Sequence, residues 1–136
     1  MSSTNYSHCI PFLPVRDLQE NIEFYKTKLG FTDEWYWGSP ATDAGISRDG
    51  LSLFFVKNSE HAAKVNDHIN ELELCLFVSN VEEIYKEAKR NRVSIHKELT
   101  STPWNVREFC VRDNNGYMLR IGEHIENDAE APHEDK

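Results

Sequence analysis

No uninterrupted apolar stretch in the 136 residues approaches the ~18 needed to cross a bilayer, which excludes a membrane-spanning helix. The opening residues, MSSTNYSHC, have neither a basic patch nor an apolar core, so no secretory leader is expected and the default location is cytoplasmic. Cysteine is scarce: Cys9, Cys75 and Cys110 stand far apart without CxxC spacing, each inside an apolar, strand-like run. They read as small buried side chains in a reducing compartment. Bases are outnumbered, 15 against 23 acids, and no basic stripe offsets the deficit, which disfavours nucleic acid as a partner. Most of the net charge of -8 is local: residues 123–136, EHIENDAEAPHEDK, hold six of the acids and one lysine. So acidic a segment, almost free of aliphatics, cannot bury enough surface to order itself, and residues 124–136 read as a solvated, disordered tail. Residues 1–7 read as a flexible N-terminus. No Ser or Cys is placed with a His in a recognisable nucleophilic motif.

What is present is a pattern written twice. HCIPFLPV, residues 8–15, is strand-like, and Pro11 and Pro14 cannot donate ladder hydrogen bonds, which fits an edge strand or one exchanged between subunits. In RDLQENIEFYKTKLGF, the residues Leu18, Ile22, Tyr25 and Leu29 recur at helical spacing, with Asp17 to cap the start and Gly30 to end it. FTDEWYW, DAGISR and LSLFFVK follow as strands, the last two joined by the hairpin signal Asp49-Gly50. The order then restarts with ELELCLFV as a strand and NVEEIYKEAKRNR as a helix, capped by Asn80 and apolar along Val81, Ile84, Tyr85 and Ala88. VSIHKEL, VREFCVR and YMLRIGE close it as three strands. Val15-Arg16-Asp17-Leu18 echoes Val78-Ser79-Asn80-Val81, and Arg48-Asp49-Gly50 echoes Arg112-Asp113 with Gly116.

The spacing predicts an α+β fold of two βαβββ modules, about residues 8–57 and 71–123, within a single domain of residues 8–123. The polar connector 58–70, NSEHAAKVNDHIN, reads as a loop with a helical turn. Two units whose sheets each have one apolar face would pack together or curl as a mixed sheet surface of eight strands around a groove.

Aromatic residues supply the remaining signal. Trp35, Tyr36 and Trp37 are consecutive, so on a strand the two tryptophans share one face and Tyr36 takes the other. One face is core and the other covers a helix, a dimer contact or a ligand. Asp33, Glu34 and Asp43 lie near this run, either as solvated loop charge or as partners for a cation. Trp104 follows a proline where no core is obvious, and is either a packing anchor or a ligand contact. His61 and His68 fall in the polar connector, with no carboxylate or cysteine to complete a metal site.

The early LPVRDLQENIEFYKTKLGF and the late PWNVREFCVRDNNGYMLRIGE resemble the vicinal oxygen chelate superfamily, and the late motif is most like its bleomycin-resistance branch. The resemblance spans residues 8–123. It implies a groove on whose wall Trp104 stacks on a flat ligand; Trp35, Trp37, Asp43 and Arg107 are the further candidate ligand contacts. The implied function is sequestration of a planar, cationic molecule such as a bleomycin-type glycopeptide, without cofactor, by a homodimer. In metal-using members the ligand positions are those that fall here on Ile10, Glu73 and Arg120, with a fourth on LSLFFV, which has no donor. A bulge would be needed to bring His8 toward Glu73. On this count no metal is expected, and a metal-assisted lyase or dioxygenase is the alternative reading. A purely structural or regulatory dimer is a third. The glycine usual after Pro-Trp in the branch is Asn105 here, and the loop before DAGISR is longer.

Overall fold

The computed structural model describes residues 4–67 and 73–126. The chain falls into two units, residues 1–64 and 65–136. The first holds β1 (Phe12–Val15), α1 (Leu18–Leu29), β2 (Asp33–Gly38), β3 (Ala41–Arg48) and β4 (Leu51–Lys57). Helix α2 (Ser59–Asp67) follows, and the second unit continues with β5 (Glu73–Phe77), α3 (Val81–Arg90), β6 (Ile95–Ser101), β7 (Val106–Arg112) and β8 (Met118–His124). The paired βαβββ order expected from the sequence is therefore present, and its eight strands form two separate mixed sheets of four.

In the first unit the order is β1-β4-β3-β2, with β1 parallel to β4 and the rest antiparallel. The proline-bearing β1 lies at the edge, where a missing N–H costs no ladder bond. It is shorter than the expected 8–15, because residues 8–11 have no regular structure. Helix α1 starts where Asp17 accepts the Glu20 N–H at 2.8 Å, and ends at Gly30, whose φ of 74° only glycine adopts freely. Its buried stripe, Leu18, Ile22, Tyr25 and Leu29, shares the core with Val15, Phe31, Ala44, Ile46, Leu53 and Phe55. Strands β3 and β4 are joined by Asp49-Gly50, both with positive φ, as their hairpin signal required.

The second sheet runs β5-β8-β7-β6, again with one parallel pair, β5 and β8. Asn80 accepts the Glu83 N–H to start α3, and Val81, Ala88, Phe109, Val111, Leu119 and Ile121 form the core beneath it. The β7–β8 turn is organised by Asp113, whose Oδ1 accepts the N–H of Asn115 at 2.8 Å and of Tyr117 at 2.9 Å. Burial, and then the nearby Asp113 carboxylate, push the Tyr117 hydroxyl up to about 12.

Three expectations need correction. The connector is not a loop with one turn: residues 59–67 are helical, with Asn58 accepting the His61 N–H at 3.0 Å and Ala62 buried. Ala62 among its polar residues gives it a point of burial that composition alone did not reveal. Of the three cysteines only Cys110 is buried; Cys9 precedes the first strand and Cys75 is on the exposed face of β5. The acidic tail is strand through His124, because Ile125 N–H bonds the Asn105 carbonyl and holds this end of β8. Residues 127–136, and His68, lie outside the described residues.

Candidate functional site

Each sheet has one face under its helix and one without. In the first, the period of two puts Leu53, Phe55, Ala44 and Ile46 under α1 and turns Phe54, Gly45 and Asp43 the other way. The pairing of Trp35 with Gly45 and Trp37 with Asp43 places both tryptophans on that open face, and Tyr36, opposite Ala44, on the helix side. Phe12, opposite Phe54, joins them. One rung of the sheet thus reads Phe12, Phe54, Gly45, Trp35, with ring centroids 5.6 Å apart at Phe12–Phe54 and 4.9 Å at Trp35–Phe54, both edge to face. The next rung holds Pro14, Val56, Asp43 and Trp37.

Side chains on this face reach solvent: Phe12 is 51% exposed and Trp37 68%. Trp35, at 36%, is the better held of the two tryptophans, since its indole rests over Gly45. Asp43 accepts a hydrogen bond from the Thr42 hydroxyl at 2.6 Å. Of the other acids considered, Asp33 lies on the same face opposite Ser47, while Glu34 pairs with Lys26 at 2.9 Å and raises that ammonium. On the helix side, a cavity of about 380 Å³ is lined by Asp17, Leu18, Gln19, Tyr36, Ala41 and Lys57, and includes none of the expected ligand contacts. Burial, and then Glu34, raise the Tyr36 hydroxyl there.

Trp104 lies in the β6–β7 turn of the second unit, 59% exposed. The turn is closed by Thr102, whose N–H and hydroxyl both bond the Val106 carbonyl at 2.8 Å, and Asn105 takes a φ of 66°. Asparagine is a residue that tolerates this left-handed conformation, which explains how it stands where the branch has glycine. The open face of the second sheet also carries Phe77, 52% exposed, stacked flat on His124 at 4.5 Å.

Arg107 is set apart from the other candidates. Its parity on β7 puts it on the α3 side, where it donates to Glu82 at 3.1 Å and to the Ser101 hydroxyl at 3.1 Å. The arginine on the open face is Arg120. Its guanidinium donates to Glu108 at 2.6 Å and Glu73 at 3.1 Å, and both bonds, that to Glu108 first, raise its affinity for its proton further. Glu108 is buried, and Cys110, two residues on and facing Arg120, has its thiol raised by burial and then by Glu108.

Sequence reasoning singled out Trp35 and Trp37 but not Phe12, Phe54 or Gly45, which complete their rung. The signal was the doubled aromatic Phe54-Phe55, one ring for each face; the strand register needed to use it was not visible. Glu108 was legible as the residue before Phe109 in VREFCVR, and so on the opposite face from a core aromatic.

Two βαβββ units in tandem, each a mixed four-stranded sheet with a helix on one side, define the α+β glyoxalase and bleomycin-resistance fold. The chain belongs to the Glyoxalase/Bleomycin resistance protein/Dioxygenase superfamily, whose family model matches residues 5–121. Among solved structures, it is similar to a bleomycin resistance determinant encoded on the transposon Tn5, at 20% identity and TM-score 0.72 over 88% of this chain and 98% of that one. A bleomycin-binding protein complexed with bleomycin is 21% identical, TM-score 0.71, over 87% and 98% of the two chains. TioX from Micromonospora sp. ML1 is 17% identical, TM-score 0.71, over 88% and 100%. No match to a curated protein sequence was found.

The metal used by some members does not fit the donors here. Ile10 has no lone pair to give, and Arg120 places a permanent cation on the two carboxylates, Glu73 and Glu108, that would have to ligate. His8, exposed ahead of β1, bonds Ser7 at 2.8 Å. Among the described residues no three His, Cys, Asp or Glu side chains are grouped to hold an ion, and no helix is long and apolar enough to cross a membrane.

Proposed function

We propose that the chain is a binding protein that sequesters a planar, cationic small molecule of the bleomycin type, acting in the cytoplasm as a homodimer. The observation that carries this is the open face of the first sheet, where Phe12, Phe54, Trp35 and Trp37 present ring surface to solvent beside Asp43. Exposed aromatic surface of this extent on a small protein marks a contact for something else. A flat heteroaromatic group gains from stacking there, and a cation gains from Asp43. Trp104 on its exposed turn is a further stacking candidate. Arg107 is omitted because Glu82 and Ser101 engage it on the helix side.

The fold shared with a bleomycin-binding protein supports the ligand class. The metal-assisted lyase or dioxygenase reading is weakened by the Arg120 ion pairs. Free thiols at Cys9, Cys75 and Cys110 suit a reducing compartment, and an edge strand bearing Pro14, with Pro11 directly ahead of it, suits assembly of two chains around that edge.

Titration of the protein with metal-free bleomycin, followed by tryptophan fluorescence, tests the proposal. Saturable quenching with one drug per binding site is expected. Absence of any saturable change, confirmed by calorimetry, would overturn the bleomycin-type assignment.

A further inference from the structure

We infer that Gly45 is a positioning residue of the aromatic face: the missing side chain on β3 is what seats the Trp35 indole against the sheet and sets the level of the stacking surface. The inference rests on the reading of that face as a ligand platform. Its basis is geometric. A Cβ built on Gly45 would lie 2.4 Å from both Cε2 and Nε1 of Trp35 and 2.6 Å from Cζ2, closer than any real Cβ contact. The Nε1 side of the indole therefore occupies the space that every other residue type would fill.

The backbone gives no other reason for glycine. Gly38, Gly50 and Gly116 all have positive φ, but Gly45 is not among the positive-φ residues and sits in regular register between Trp35 on β2 and Phe54 on β4. Glycine in a strand interior weakens it and marks a close approach by another group. Here that group is a ring that remains 36% exposed, so the approach does not complete a core. It lowers the indole until its plane meets the Phe54 ring edge at 87°, and the surface stays continuous from Trp35 to Phe12. Trp37, paired with Asp43 instead of a glycine, has no such seat and is far more exposed.

Three measurements test this. With Trp37 and Trp104 replaced by phenylalanine, Trp35 is the sole indole of the three. Adding Gly45→Ala should then shift its emission to the red and raise its quenching by acrylamide. In the otherwise native chain, Gly45→Ala should weaken bleomycin binding about tenfold, about 1.4 kcal/mol. In a Trp35→Ala background, the same change should leave bleomycin affinity where it is and should not lower the melting temperature. Unchanged emission and quenching of Trp35 in the alanine variant would overturn the inference. So would an equal loss of melting temperature with and without Trp35, which would make Gly45 a matter of strand stability alone. If the native chain fails to bind bleomycin, the ligand assignment falls, and the fluorescence and melting comparisons still decide the role of Gly45.

Discussion

Trp104 and Tyr117 show how differently two aromatic side chains on the turns of one unit can be used. Trp104 is 59% exposed on a turn held by Thr102 and Asn105, so its ring contributes little to the core. Trp104→Ala is expected to lower folding stability by less than ~1 kcal/mol, against ~3 to 5 for a core aromatic, while weakening bleomycin binding by ~1 to 3 kcal/mol. Calorimetric titration and urea unfolding of the one variant separate these effects; unfolding of the variant with affinity retained would make it a packing anchor. Tyr117 is 1% exposed, and its hydroxyl is raised from 10.0 to about 12. The folded state thus favours the neutral phenol, so its contribution is intact below pH 10 and is lost as pH rises from about 10 to about 12. That loss is roughly 2 to 3 kcal/mol. Alkaline unfolding of Tyr117→Phe, monitored by circular dichroism, should lack this part of the decline.

Among the elements, the open face of the second sheet depends on one ion-paired residue. Arg120 ties β8 to β7 through Glu108, whose side chain is 5% exposed, and to β5 through the more accessible Glu73. Arg120→Met strands Glu108 as a buried, unpaired carboxylate and is expected to cost about 2 to 3 kcal/mol in urea unfolding, less than a wholly buried pair because Arg120 and Glu73 reach solvent. Arg107→Met, which loses the more accessible Glu82, should cost under ~1 kcal/mol. Since Arg120 already engages both carboxylates, chelator treatment should leave the melting temperature of the native chain unchanged.

Most of these elements were legible in the sequence for local reasons. Asp17 and Asn80 cap helices with side-chain oxygens that accept an N–H three residues on, Gly30 ends one through its own left-handed backbone, and period-two alternation reported on burial without help from distant strands. The candidate site was legible only in part. That Trp35 and Trp37 share a face follows from parity along one strand, but their rung with Phe12, Phe54 and Gly45 depends on the register of four strands. Arg107 and Arg120 were assigned without that register, and they lie on opposite faces of one sheet.

For the whole molecule, the proposed homodimer is checked by light scattering, which should give about twice the 15.8 kDa of one chain. A value of one chain at micromolar concentration would refute it. The duplicated architecture also has a consequence at this scale. Aligning Val15 with Val78 and following the pairings outward, Phe12 takes the place of Cys75, Phe54 that of Arg120, Gly45 that of Cys110 and Asp43 that of Glu108. One half fills the central rung with rings and the other fills the same addresses with an arginine between two thiols. Because each sheet completes its ladder within its own half, a substitution on one rung leaves the other half's hydrogen bonding untouched, so the two halves can carry different rungs. A duplicated unit of this kind gives one chain two independently variable surfaces on a single architectural plan, and here one has become oily and the other salted.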